Sequence, residues 1–238
     1  QPFFTRAEYS VAVRQPRALI SREPMSDLTL PLVEPAIDVF EELWQFSQVT
    51  YGFVARIFIG GLLLAYGLVE FKLLFMIAGL LFIPLLPLML SIGFGLCTRQ
   101  WRLARQGLVS LVVALVLLVG AGLAVGLLTS PPVRYSEFNS LLTGVLVSIA
   151  VGVAAGLATA DDVGRREMIG LAATAQVAIV PTWLGLCLIL GFPLDFSPLA
   201  RPFWGLLVNV IAIVIASLTT YALIRIKGSA LTCYGRDV

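Results

Sequence analysis

Long apolar runs alternate with short polar gaps over most of this chain, from Phe53 to Ile226. An α-helix rises ~1.5 Å per residue and the hydrocarbon core of a bilayer is ~30 Å thick, so about 20 apolar residues cross it. Each run is close to that length. The pattern therefore predicts an all-α membrane protein with six transmembrane helices, near Phe53–Val69, Leu73–Leu96, Leu108–Leu128, Leu141–Ala160, Ile169–Leu190 and Phe203–Ile226.

Four segments follow from this pattern. We expect a polar N-terminal tail at 1–34, an amphipathic interfacial helix at 35–48, a six-helix transmembrane domain at 49–227 and a C-terminal tail at 228–238. The chain begins at Gln1 rather than at a methionine, which is compatible with missing or processed residues before it.

The amphipathic segment has two interpretations. Apolar residues recur at helical spacing on one face and polar, mostly acidic ones on the other: Ile37, Phe40, Leu43 and Trp44 against Asp38, Glu41, Glu42 and Gln45. Such a helix is typical of a membrane surface. An acidic face is unusual beside anionic lipid, so a partner protein is an equally good account of that face.

Composition and charge place the chain in lipid and orient it. A 59% hydrophobic content with 13% charged residues excludes an ordinary soluble domain. With six spans, thirteen of the sixteen Lys and Arg residues fall on one side, and only Lys72, Arg134 and Arg201 on the other. The positive-inside rule then predicts that both termini are cytoplasmic, or stromal in a thylakoid-type membrane. This charge pattern does not indicate nucleic-acid binding.

Two spans carry a proline at corresponding depth. Ala78 precedes Pro84 in the second span by the same spacing as Ala175 precedes Pro181 in the fifth. A mid-span proline removes a backbone donor and disrupts the helix. Spans two and five are the middle helices of two three-helix halves, so the pattern predicts an inverted 3+3 repeat with broken second and fifth helices. Paired broken helices of this kind point to a transporter-type site.

The candidate binding residues are the polar or helix-breaking positions near these prolines: Pro84, Pro87, Met89, Ser91, Gln176, Pro181, Thr182 and Asn209. Buried amides in lipid need partners, so Gln176 and Asn209 should face the bundle interior. They would either bind a solute or join helices to each other. The fourth span has small residues every fourth position, which predicts tight helix packing against this chain or another copy: Gly144, Ser148, Gly152 and Gly156.

Enzymatic machinery is not visible in the sequence. The chain has no histidine, and no charged residue lies centrally in a span. A His-based triad or metal centre is therefore excluded, and a proton-driven mechanism with a buried carboxylate is disfavoured. There is no phosphate-binding GxxxxGK[ST] motif. We expect a protein that is not an enzyme and has no cofactor or metal.

In its second, fifth and sixth spans the chain resembles a family of prokaryotic membrane proteins of unknown activity, domain of unknown function 389. The family has a Pro-Leu-Met-Gly-Pro motif, of which Pro87, Leu88 and Met89 match the first three positions while Leu90 and Ser91 depart from the rest. It also has a Val-Pro-Pro motif and an Asn in the last span. Val180-Pro181 match the former, with Thr182 replacing its second proline, and Asn209 matches the latter.

Further similarity lies in Gly93, Gly95 and Trp101-Arg102, where the family has a glycine-rich run and a Trp-containing loop. The resemblance extends from about Phe53 to Lys227 and implies a divergent member, whose site has changed or been lost. It supports the membrane class and the fold, and it brings no established activity with it.

Two functions remain in competition. The first is a transporter or channel for a small neutral or anionic solute, acting passively or as a secondary transporter. The second is a non-transporting structural or accessory subunit of a larger membrane complex, which the altered motifs, the acidic helix and the small-residue stripe also suit. A lipid-acting enzyme comes third. Besides the bilayer, the expected partners are further copies of this chain or other subunits.

Overall fold

The computed structural model describes residues 36–129, 140–160, 166–192 and 200–224, so the two tails and the loops between these ranges lie outside it. All regular structure in the described residues is α-helical. The helices are α1 (Ala36–Phe46), α2 (Tyr51–Glu70), α3 (Leu73–Phe82), α4 (Leu85–Cys97), α5 (Trp101–Gly126), α6 (Leu141–Ala160), α7 (Arg166–Leu190) and α8 (Ala200–Leu223).

Five of these helices, α2 and α5–α8, are long and apolar enough to cross a membrane. The pair α3 and α4 passes the same criterion together, with a bend of 40° between its halves. The six predicted spans correspond to these five helices and the bent pair. The main difference lies in the third span, because α5 begins at Trp101 rather than near Leu108.

The second span breaks as predicted, at Ile83 and Pro84. Pro84 (φ −87°, ψ 64°) is the centre of an inverse γ-turn in which the Leu85 amide donates to the Ile83 carbonyl at 3.1 Å. The same carbonyl accepts a hydrogen bond from Thr174 Oγ1 on α7 at 3.1 Å. Pro87 falls in the first turn of α4, where a missing amide proton removes no intrahelical bond.

The predicted break in the fifth span is wrong, because α7 runs from Arg166 to Leu190 with Pro181 inside it. A single proline removes one donor from a helix of 25 residues, and Pro181, Thr182 and Trp183 are all buried among neighbouring helices. That packing holds the turn in place. The second span instead has two prolines within four residues and a non-helical residue before the first. The inverted repeat itself stays a prediction.

The helix α1 rests on the chain's own membrane domain. Val39 and Leu43 are buried, and the helix contacts α4 and α5. Just beyond its end, the Ser47 carbonyl accepts hydrogen bonds from Gln106 Nε2 at 3.1 Å and from Ser110 Oγ, both on α5. Asp38 on the opposite face is exposed. Of the apolar face predicted to meet lipid, Leu43 is covered by protein and Phe40 and Trp44 are partly covered, while the surroundings of Ile37 lie outside the described residues.

Glycines set the closest helix contacts. A Cβ on Gly185 of α7 would stand 3.0 Å from Gly122 Cα and 2.9 Å from the Leu123 amide on α5. On α6, Gly152 meets Ile213 and Ala216 of α8, and four residues later Gly156 meets Thr220. The contacts advance in the same direction along both helices, so α6 and α8 are parallel. The stripe predicted in the fourth span packs within this chain.

The contact between α5 and α7 gives a stability test. Gly185→Ala should destabilise the protein by about 1–3 kcal/mol, since the added methyl meets backbone that cannot move aside. Gly120→Ala is the matched control, because a Cβ there has nothing within 4 Å. Thermal unfolding in detergent measures both. Equal melting temperatures for the two variants would contradict this packing.

The hydrogen bond across the break gives a second test. Thr174→Val keeps the shape of the side chain and removes the donor to Ile83, so we expect a loss of about 0.5–2 kcal/mol in the free energy of unfolding. Thr219→Val is the control, since Thr219 Oγ1 bonds Ala216 O in its own helix at 2.8 Å. Reversible unfolding in mixed detergent compares them. A control as destabilised as Thr174→Val would remove any special role for the contact.

Candidate functional site

The helix α7 is the structural centre of the described membrane domain. It contacts α2, α3, α4, α5, α6 and α8. Of its apolar window 61% is buried inside the protein, against 44% or less for the other four unbroken spans. Polar side chains on α7 therefore meet protein groups more often than lipid.

Two of the predicted site residues meet at mid-height of the bundle. Asn209 Nδ2 on α8 donates to Gln176 Oε1 on α7 at 3.2 Å. Gln176 stands ten residues from the start of α7 and fourteen from its end, and Asn209 nine and fourteen in α8. Both side chains are half-buried. The expectation that these amides face other helices is thus met by their mutual hydrogen bond.

A third helix completes the surroundings of this amide pair. A Cβ on Gly144 of α6 would stand 2.9 Å from Asn209 Oδ1, so the Asn209 amide lies directly against the α6 backbone. One turn further along α6, Ser148 is completely buried. Its Oγ is the one buried side-chain polar atom among the described residues that has no hydrogen-bond partner. We call Gln176, Asn209 and Ser148 the amide–hydroxyl cluster.

Three other predicted site residues belong to the packed interior. Ser91 Oγ donates to Leu88 O at 2.7 Å and Thr182 Oγ1 to Ala178 O at 2.9 Å, both within their own helices. Met89, like these two, is completely buried. The hydroxyl protons of Ser91 and Thr182 are thus used within their own helices, and all three side chains pack inside the protein.

The three prolines have separate positions. Pro84 and Pro87 are half-buried at the break and in the first turn of α4, and Pro181 is buried within α7. Of these, Pro84 is the one that exposes a backbone carbonyl to a neighbouring helix, through Ile83 and Thr174. The helix α7 carries both contacts on different faces: Thr174 bonds the break, and Gln176, two residues further on, bonds Asn209 on α8.

Two residues of this region were not predicted as site residues. The sequence carries no signal that would pair Thr174 with the break, because the contact depends on which helix lies beside α7. Ser148 stands in a stripe of glycines, a pattern that predicts helix packing. Only its burial without a partner sets it apart from Gly144, Gly152 and Gly156.

The cluster offers neutral hydrogen-bonding groups. The described parts of the chain hold no group of three or more Cys, Asp or Glu residues placed to bind a metal ion. Their Arg and Lys side chains with described surroundings, such as Arg56, Lys72, Arg102 and Arg105, stand near helix ends or in loops. The arrangement can hold a polar molecule by donors and acceptors and supplies no charge at mid-height.

Comparison with known proteins places the chain in a family. Residues 80–215 match the family model described as Domain of unknown function (DUF389). No curated protein and no solved structure matches the chain. The matched region covers more than half of the sequence and runs from the end of α3 through most of α8, so it contains the whole amide–hydroxyl cluster. The resemblance predicted from the Pro-Leu-Met and Val-Pro residues is confirmed: the chain belongs to the DUF389 family.

Proposed function

We propose that this protein moves a small neutral or anionic solute across the membrane, passively or as a secondary transporter. The observation that carries the proposal is the hydrogen bond between Gln176 and Asn209 at mid-height of the bundle. Uncharged polar side chains at that depth are costly in lipid and are kept where they join helices or contact a polar molecule. Here they lie near a buried, unpaired hydroxyl, Ser148 Oγ.

The packing of the helices supports a transporter-like architecture. Spans one and three, α2 and α5, pack together, as do spans four and six, α6 and α8. Span three packs on span five, and span six packs on span two, through α4. Each of these pairings has its counterpart when the two halves are exchanged, as expected for an inverted 3+3 repeat. In such folds the solute site lies where the two halves meet. All three residues of the amide–hydroxyl cluster belong to the second half, and among its helices it is α7, the helix of Gln176, that contacts α2, α3, α4 and α5 of the first half.

The accessory-subunit function is the alternative, and α1 favours it. This helix is fixed to α4 and α5 by Val39, Leu43 and Ser47, while Asp38 faces outward. A firmly held helix that presents Asp38 outward offers a docking point for a basic partner. The stripe on α6 no longer supports this alternative, because α8 of the same chain covers it.

A flux measurement tests the transport proposal. Gln176→Leu combined with Asn209→Leu removes the polar pair and keeps the helices apolar, so we expect loss of flux with folding retained. The assay follows uptake of small neutral and anionic solutes into liposomes that contain the purified protein. The control is Ser217→Ala with Thr219→Val, which removes two hydroxyls bonded within α8. Wild-type flux in the double leucine variant would show that Gln176 and Asn209 do not form the transport site.

Sizing separates transport from the accessory role. After gentle solubilisation from native membranes, we expect the protein to migrate alone or as a homo-oligomer, with mass spectrometry identifying what accompanies it. Stoichiometric foreign subunits would instead favour the accessory role. Replacing Asp38 by Lys would then weaken their association if the acidic face of α1 binds them.

A further inference from the structure

Three polar atoms of the amide–hydroxyl cluster have hydrogen-bonding capacity left over. Gln176 Oε1 already accepts from Asn209 Nδ2. In the described structure, Gln176 Nε2, Asn209 Oδ1 and Ser148 Oγ make no hydrogen bond. The cluster thus retains donors from Gln176, an acceptor from Asn209, and a hydroxyl that can do both.

The register of α6 and α8 brings Ser148 close to Asn209. Gly144 meets Asn209, and Gly152 meets Ile213 and Ala216. Ser148 lies midway between these glycines on the same helical face, because residues four apart on a helix are neighbours. Its hydroxyl therefore enters the α6–α8 interface about one turn from Asn209.

Burial without a partner makes the Ser148 hydroxyl unusual. The other serines and threonines in the described spans whose hydroxyls are buried bond a carbonyl or another hydroxyl, as Ser91, Thr159 and Thr182 do. A buried hydroxyl without a hydrogen bond costs about 1–3 kcal/mol. An apolar residue would pack there without that cost. A polar group from outside the chain would supply the missing hydrogen bond and so account for a serine at this position.

Building on the proposed function, we propose that Ser148, Asn209 and Gln176 form the binding site for an uncharged solute with both hydrogen-bond donors and acceptors, of the polyol or small-amide class. Such a molecule carries an acceptor for Gln176 Nε2, a donor for Asn209 Oδ1 and either group for Ser148 Oγ. A free anion fits less well, because no cationic side chain is described at this height and an unpaired charge in the membrane interior is far more costly than a neutral polar group.

The experiment compares uncharged and anionic probes in the same vesicles. Stopped-flow light scattering follows entry of glycerol and urea, and a fluorescent halide or pH indicator follows chloride and formate. We expect the protein to accelerate the uncharged probes. Ser148→Ala should raise the half-saturating concentration of the faster probe about 5–10-fold, the equivalent of losing one net hydrogen bond.

Two further variants sharpen the test. Gly144→Ala places a methyl against Asn209 Oδ1 and should also raise the half-saturating concentration of that probe. Ser217→Ala, whose hydroxyl is also buried but bonds Val214 O at 2.9 Å, should behave as wild type. Ser148→Ala should fold at least as stably as wild type, because it removes an unsatisfied group.

The outcomes separate this inference from the proposed function. Accelerated anions without accelerated glycerol or urea would overturn the solute class and leave transport intact. Accelerated glycerol that is insensitive to Ser148→Ala would overturn the site. Entry of every probe at the rate of protein-free vesicles would overturn both proposals together.

Discussion

The structure depends on one constraint: within the hydrocarbon of a bilayer, each backbone amide and carbonyl must find its partner inside the protein. Unbroken helices meet it for most of the chain. Where the second span stops at Ile83, the chain meets it by a tight turn at Pro84 and by a hydroxyl from another helix, Thr174. The broken span is therefore tied to α7, and the position of α7 determines which other groups lie near the break.

Close packing explains how α7 can occupy the centre. With Gly122 and Gly185 facing each other, α5 and α7 approach until their backbones are in contact. Association in lipid depends on such contacts and on interhelical hydrogen bonds, because apolar side chains gain little by leaving apolar lipid. On the other side, α6 and α8 use Gly152 and Gly156 in the same way. Between these two pairs lies the hydrogen bond from Asn209 to Gln176.

This arrangement separates two kinds of polar residue. Ser91, Thr182 and Thr219 bond carbonyls of their own helices and are stable in lipid without further partners. Gln176 and Asn209 each carry an amide with two donor hydrogens and an acceptor oxygen. They bond each other once and retain further donors and an acceptor. Ser148 Oγ bonds neither a carbonyl of its own helix nor a side chain of another helix in the described structure. The difference between satisfied and unsatisfied groups, rather than polarity alone, marks the candidate site.

By itself the sequence determined the membrane class, the six apolar segments, the break at Pro84 and the family. The first three follow from the length of an apolar run and the missing amide proton of a proline, and the family follows from the Pro-Leu-Met and Val-Pro residues. Tertiary structure decided the rest. It kept α7 continuous through Pro181, because neighbouring helices hold that turn, and it turned the stripe on α6 toward α8 of the same chain. It also selected Thr174 as the partner of Ile83 and left Ser148 without one. These outcomes depend on which helix stands beside which residue, and hydrophobic periodicity along a single chain carries no such information.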